Sequence, residues 1–218
     1  MKNFNNIIIP IWKPKDIKSN DIVSIIRKKY NVKAGHAGTL DPFAEGVLIV
    51  CTGEKTKNVS NIQMNNKKYL AKIKLGERTN TLDIDGEVIQ KKKIPILSKQ
   101  KIKKVLNSFK GKVKQRPPAF SALRKNNVRL YQFARKDIYI SLQARDVSIY
   151  AIKLLSFDSN YIDIEIECGK GTYIRSLARD IAAKLDTCGF LYQLKRISVG
   201  KFNEYDCKEF QFILDESL

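Results

Sequence analysis

The sequence predicts a mixed α/β domain, and three observations carry that expectation. Alternation of apolar and polar residues marks strands at Tyr69 to Leu75 and at Tyr161 to Cys168. The continuous apolar run Gly46-Val47-Leu48-Ile49-Val50 has the length and composition of a buried strand. Apolar residues at helical spacing, Ile22, Val23, Ile25 and Ile26 early and Ile174, Leu177, Ala178, Ile181, Ala182 and Leu185 late, mark amphipathic helices. With 218 residues, 43% of them hydrophobic, no internal repeat and no linker that demands a division, one domain over 1-218 is expected.

An apolar strand is expected from Ile7 to Trp12, followed by Lys13-Pro14. Ser19 or Asn20 can cap the first helix, because a short oxygen-bearing side chain there accepts from an unpaired N–H of the first turn. That helix should run to about Tyr30. Residues Ala34 to Pro42 are too glycine-rich for helix, and Pro42 pushes Asp41 toward extended backbone, so Asp41 is expected on a loop held by rigid elements. In the strand from Tyr69, the residues Tyr69, Ala71, Ile73 and Leu75 share one face, while Lys68, Lys72 and Lys74 lie on the other beside Leu70. Thr81 to Gly86 reads as a sharp turn. It begins like a calcium loop, but Lys92 stands where a bidentate Glu is required. A Lys-rich link, Lys91 to Lys93, precedes a short helix from about Ser98 to Phe109, and Pro117-Pro118 stiffens an extended segment from Gln115 to Arg124. The Gly169-Lys170-Gly171 turn feeds the late helix and lacks the spacing of a nucleotide-binding loop.

Composition narrows the function. Against 22 Asp+Glu stand 41 Lys+Arg, a net charge of +19, which favours a polyanion because each phosphate neutralised by a cation releases counterions. Aromatic residues interleave with cations in Lys67-Lys68-Tyr69, in Arg129 to Arg135 and in Lys170 to Arg175, where rings could stack on bases. Nucleic acid is therefore the expected partner. The cysteines Cys51, Cys168, Cys188 and Cys207 form no C-x-x-C pair and are expected as free thiols in a reducing compartment. With His36 alone, a zinc site on two histidines is excluded, and no metal is expected. No run approaches the ~20 apolar residues that span a bilayer, and no signal-peptide core follows Met1, so the expected location is cytoplasmic.

The segment Gly35-His36-Ala37-Gly38-Thr39-Leu40-Asp41-Pro42-Phe43-Ala44-Glu45-Gly46-Val47-Leu48 strongly resembles the catalytic motif of the TruB family, the synthases that make pseudouridine at position 55 of transfer RNA. Other matches follow in family order: Lys13-Pro14 with Ser19-Asn20-Asp21, Lys68-Tyr69, and Arg78-Thr79 with Asp83-Asp85-Gly86. Pro117 to Ala122 with Arg129-Leu130-Tyr131, and Lys170 to Arg175, complete the set, which covers about residues 7 to 202. The resemblance implies a pseudouridine-synthase core with a central, largely antiparallel sheet flanked by helices and an RNA-clasping insertion at about 113-140. It also implies a monomer acting on the T arm of transfer RNA without cofactor. The C-terminal RNA-binding PUA domain of many relatives is not expected within the chain.

By the same resemblance, Asp41 is the carboxylate near the sugar, acting as nucleophile or stabilising charge at the anomeric carbon. Arg175 pairs with that carboxylate and keeps it ionised and aimed. Tyr69 stacks on the target uracil, and Tyr173 packs beneath the ring or moves a proton. His36 fills the place of the flipped base. Lys13, Arg124, Arg129 and Lys170 contact phosphates. The chain departs from the family at Trp12 and Asn80, where Asp is usual, at Arg124, where Lys is usual, and at Asn126-Asn127, which replaces a glycine turn. None of these removes a catalytic group. Two rivals remain at this stage: a relative directed by guide RNA, and an RNA-binding protein whose catalysis is dispensable.

Overall fold

The computed structural model describes residues 4–121, 123–125, 128–134, 138, 140 and 142–215. In the N-terminal part it contains β1 (Ile8–Lys13), α1 (Ser19–Tyr30), β2 (Ala34–His36), β3 (Glu45–Thr52), α2 (Val59–Met64), β4 (Lys67–Leu75), β5 (Glu77–Thr79) and β6 (Val88–Lys91). The middle holds α3 (Lys99–Asn107), β7 (Gly111–Gln115), β8 (Arg124–Lys125), β9 (Val128–Arg129), α4 (Leu130–Ala134), β10 (Arg145–Phe157) and β11 (Tyr161–Cys168). The chain continues through α5 (Ile174–Lys184), β12 (Gly189–Val199), β13 (Phe202–Asn203), β14 (Lys208–Glu209) and α6 (Phe210–Asp215). This is the mixed α/β fold with a largely antiparallel sheet that the sequence predicts.

Two compact units divide the chain: one comprises the residues up to Leu70 and from Leu194 on, the other Ala71–Gln193. Strands β4 and β12 contribute residues to each. In the first unit β1 pairs antiparallel with β3 over six positions, from Ile8 with Cys51 to Lys13 with Gly46. Strand β14 joins β1 in parallel, β2 joins β3 antiparallel, and the end of β12 joins β3 in parallel. Every β3 residue from Gly46 on is buried, which is why its run is apolar throughout rather than alternating. Leu48 and Val50 pack with Ile9, Ile11 and the α1 residues Ile22, Val23 and Ile26, while Val47, Ile49 and Cys51 pack with Ala37, Ile62 and Val199. Asn31 ends α1 in the left-handed conformation, which Asn tolerates better than most residues.

In the second unit, β10 pairs antiparallel with both β7 and β11. Strand β11 is alternately buried and half-buried along its length, with Ile162, Ile164, Ile166 and Cys168 turned inward. Helix α5 buries Leu177, Ala178, Ile181 and Ala182, and α3 buries Ile102 and Leu106. Ser98 caps α3, its hydroxyl accepting from the Lys101 N–H at 3.1 Å.

Candidate active site

Asp41 lies in the loop between β2 and β3, partly exposed, on a backbone held from both sides. Ser19 does not cap α1 with its side chain; Lys18 occupies the cap position, and the Ser19 hydroxyl is used on the loop instead. It donates to the Leu40 carbonyl and accepts from the Leu40 N–H, both at 2.9 Å. The Asp41 carbonyl accepts from the Ala44 N–H at 3.2 Å, and the Pro42 carbonyl accepts from the Asp16 N–H at 2.8 Å.

Two buried cations supply further donors to this loop. Lys13 has no exposed surface, and its Nζ donates to the carbonyls of Pro14 at 2.8 Å, Ile17 at 2.6 Å and Pro42 at 3.0 Å. An ammonium has three donors, so Lys13 is fully used. The phosphate contact expected for Lys13 is thus corrected: this side chain braces the loop from inside and presents nothing to solvent. Burial pushes Lys13 down to about 8; Asp16 and Asp41 oppose that push, and Arg196 adds to it. Arg196, on β12, is 1% exposed and donates to the carbonyls of Val47 at 2.7 Å, Gly38 at 3.1 Å and Thr39 at 3.5 Å.

His36 ends β2, half-buried, with Nε2 3.2 Å from Asn20 Oδ1. Burial, then the positive charges of Arg196 and Arg27, hold its pKa below the usual histidine value, so the ring is neutral at neutral pH. Its Nδ1 is buried without a hydrogen-bond partner among the described residues. Tyr69 is 8% exposed. Asp41, His36, Lys13 and Tyr69 all belong to the first unit.

The remaining expected residues lie in the second unit. Arg175, in the first turn of α5, has a 7% exposed side chain whose Nη1 stands 3.1 Å from Asp83 Oδ2. The same Nη1 donates to the Thr81 carbonyl at 3.0 Å and Nη2 to the Phe120 carbonyl at 2.9 Å. Asp83 also accepts from the Thr81 hydroxyl at 2.5 Å and the Asp85 N–H at 3.2 Å. Tyr173 precedes α5; Gln115 grips its backbone, accepting from the N–H at 2.8 Å and donating to the carbonyl at 3.1 Å. The Ser176 hydroxyl donates to the Arg116 carbonyl at 2.9 Å, so the start of α5 is tied to the segment after β7 at several points. Lys170 is exposed in its turn. Arg124 and Arg129 pair in register across the β8–β9 hairpin.

Sequence reading missed three features here. The sequence names Asp83 as part of a motif and a turn but not as a partner of Arg175, although its place two residues after Thr81 and two before Asp85 lets it accept from both. Arg196 is a cation at an inward position, between half-buried Lys195 and Ile197 on β12, a signal only once that strand is recognised. From Lys91 to Arg116 the chain carries ten lysines, one arginine and no acid, and most of those side chains are exposed, so the positive charge is concentrated rather than scattered.

Comparison with known proteins places this arrangement. Residues 25–174 match the model of the TruB family pseudouridylate synthase N-terminal domain. A relative from Clostridium tetani, tRNA pseudouridine synthase B, is 39% identical over 98% of this chain and 74% of its own length. The protein of the same name from Thermosipho melanesiensis is 44% identical over 90% of this chain and 64% of its own. Among solved structures, a crystal structure of a Cbf5-Nop10-Gar1 complex matches with a TM-score of 0.74 at 26% identity, covering 96% of this chain and 54% of that one. This chain thus spans about half the length of that solved chain. Fold and motifs together define a pseudouridine synthase, an enzyme that isomerises uridine within RNA. The chain belongs to the TruB family.

Proposed function

We propose that the chain converts uridine to pseudouridine at position 55 in the T arm of transfer RNA, with Asp41 as the carboxylate at the sugar. The observation that carries this reading is the loop itself: Asp41 is partly exposed while the carbonyls of Leu40, Asp41 and Pro42 all have donors within 3.2 Å. Such pre-organisation matters because a misplacement of about 1 Å at a reacting group can cost on the order of 100-fold in rate.

The reaction is an isomerisation in which nothing is oxidised or consumed. The bond from the anomeric carbon to N1 of uracil breaks, the base turns, and a bond from the same carbon to C5 forms as C5 loses its proton and N1 gains one. An ionised carboxylate near the anomeric carbon serves either as nucleophile or as a countercharge to the developing cation. Arg175 is the arginine of the site on this reading, and its burial and its tethers to Asp83, Thr81 and Phe120 support a fixed guanidinium. Tyr69 stacks on the extruded uracil, and Tyr173 lies beneath the ring or passes the C5 proton. A neutral His36 enters the space the base leaves, which suits a stacked interior better than a charged ring would. Lys170, Arg124 and Arg129 contact phosphates. The enzyme works as a cytoplasmic monomer on this reading, and among the described residues no helix is long and apolar enough to cross a membrane.

The test is to incubate the purified protein with an unmodified transfer RNA transcript and to map pseudouridine at single-nucleotide resolution. One modified site, in the T loop, is expected. A transcript left unmodified, or modified only elsewhere, contradicts the assignment.

A further inference from the structure

We propose that Arg196 is a positioning residue for the reaction, a buried clamp that sets the backbone of the Asp41 loop; this rests on the assignment of Asp41 as the reacting carboxylate. Its place in the fold is unusual. Leu194 and Val199 on the same strand are buried as apolar residues, yet Arg196 is 1% exposed among them. A guanidinium taken from water must recover its lost hydration through hydrogen bonds, and Arg196 does so on carbonyl oxygens of a single segment. Nε reaches Val47 at 2.7 Å, Nη2 reaches Gly38 at 3.1 Å, and Nη1 lies 3.5 Å from Thr39. These acceptors stand on both sides of Asp41, so one rigid, planar group fixes the loop's departure from β2 and its entry into β3.

The backbone of Arg196 is committed to the same segment. It pairs with Gly46 in the parallel β3–β12 contact, and Gly46 has φ +123. A Cβ at Gly46 would come within 2.3 Å of the Arg196 carbonyl oxygen, so only glycine allows this approach. Lys13 and Ser19 complete the hold on Leu40 and Pro42, the residues flanking Asp41. Consecutive carbonyls from Gly38 to Pro42 therefore each face a donor, and Arg196 supplies those at the upstream end. Lysine could not replace it fully: a tetrahedral ammonium cannot reproduce the planar fork that reaches acceptors as far apart in sequence as Gly38 and Val47.

The experiment compares wild type, Arg196→Lys, Arg196→Met and Asp41→Asn for thermal unfolding, transfer RNA affinity and single-turnover pseudouridine formation. The Arg196 variants should unfold cooperatively and bind transfer RNA within about threefold of wild type, while the single-turnover rate falls on the order of 100-fold in Arg196→Met and less in Arg196→Lys. A rate within about threefold of wild type in a folded variant overturns the clamp, as does a loss of affinity equal to the loss of rate. If Arg196→Met does not fold, Arg196→Lys decides by the same criterion; failure of both to fold assigns Arg196 to stability alone and also overturns the proposal. Asp41→Asn keeps the two ideas apart. Product from that variant at a rate within about tenfold of wild type refutes the carboxylate assignment, whereas an inactive Asp41→Asn beside an unimpaired Arg196 variant refutes only the clamp.

Discussion

The two units bury an arginine in opposite ways. In the first, Arg196 donates to backbone carbonyls of the Asp41 loop and the start of β3, and Lys13, among the described residues, likewise donates to carbonyls. In the second, Arg175 meets the carboxylate of Asp83 as well as the carbonyls of Thr81 and Phe120. Carbonyl acceptors fix a backbone, which suits the loop proposed to carry the reacting carboxylate. A carboxylate partner fixes the side chain itself, which suits an arginine whose direction is what matters.

The contrast can be broken first at Asp83. Replacing it with Ala removes one partner of a pair that is 7% exposed on each side, and such losses cost about 3 to 5 kcal/mol because a buried charge is left poorly compensated. Urea unfolding should show that drop, and Asp83→Asn, which keeps the shape and some hydrogen bonding, should show a smaller one. A change below about 1 kcal/mol in Asp83→Ala would erase the distinction between the units.

Lys13 gives a second, smaller test with a definite sign. Its folded pKa of about 8 lies below the ordinary lysine value of 10.5, so between those limits the unfolded chain holds a proton that the folded chain has released. Stability contributed by this group therefore rises as pH increases from about 8 toward 10.5 and is flat below that window. The unfolding midpoint of wild type measured against Lys13→Met across this range should differ by that rise. A parallel pH dependence in the two proteins would mean that Lys13 does not titrate inside the fold.

How far the sequence could be read depended on whether one physical signal ruled a segment. Strand β11 was legible at both ends because apolar and acidic residues alternate without interruption from Tyr161 to Cys168. Strand β10 escaped: its pairing with β11 shifts register between Ile149 and Ala151 and again between Leu154 and Ser156, so no period of two survives along it. Strand β12 escaped because an arginine sits at an inward position. Ala34–His36, read as loop for its glycine, is a short strand on β3. In the site, the Asp41 loop was legible from its glycines and proline, and the motif likeness named the residues around it. The use of Lys13 was not, since a lysine reads as surface by type and its burial depends on acceptors such as the Pro42 carbonyl, brought in from 29 residues away. Ser19 misled in the same manner, its hydroxyl being engaged 21 residues along the chain rather than on its own helix.

The account turns on a single carboxylate, and the most direct measurement is the yield of pseudouridine from Asp41→Asn beside its affinity for the same transfer RNA transcript. The variant should bind the transcript within about threefold of wild type and form no pseudouridine at any enzyme concentration. Product formed at a rate within about tenfold of wild type would show that the chemistry does not depend on Asp41.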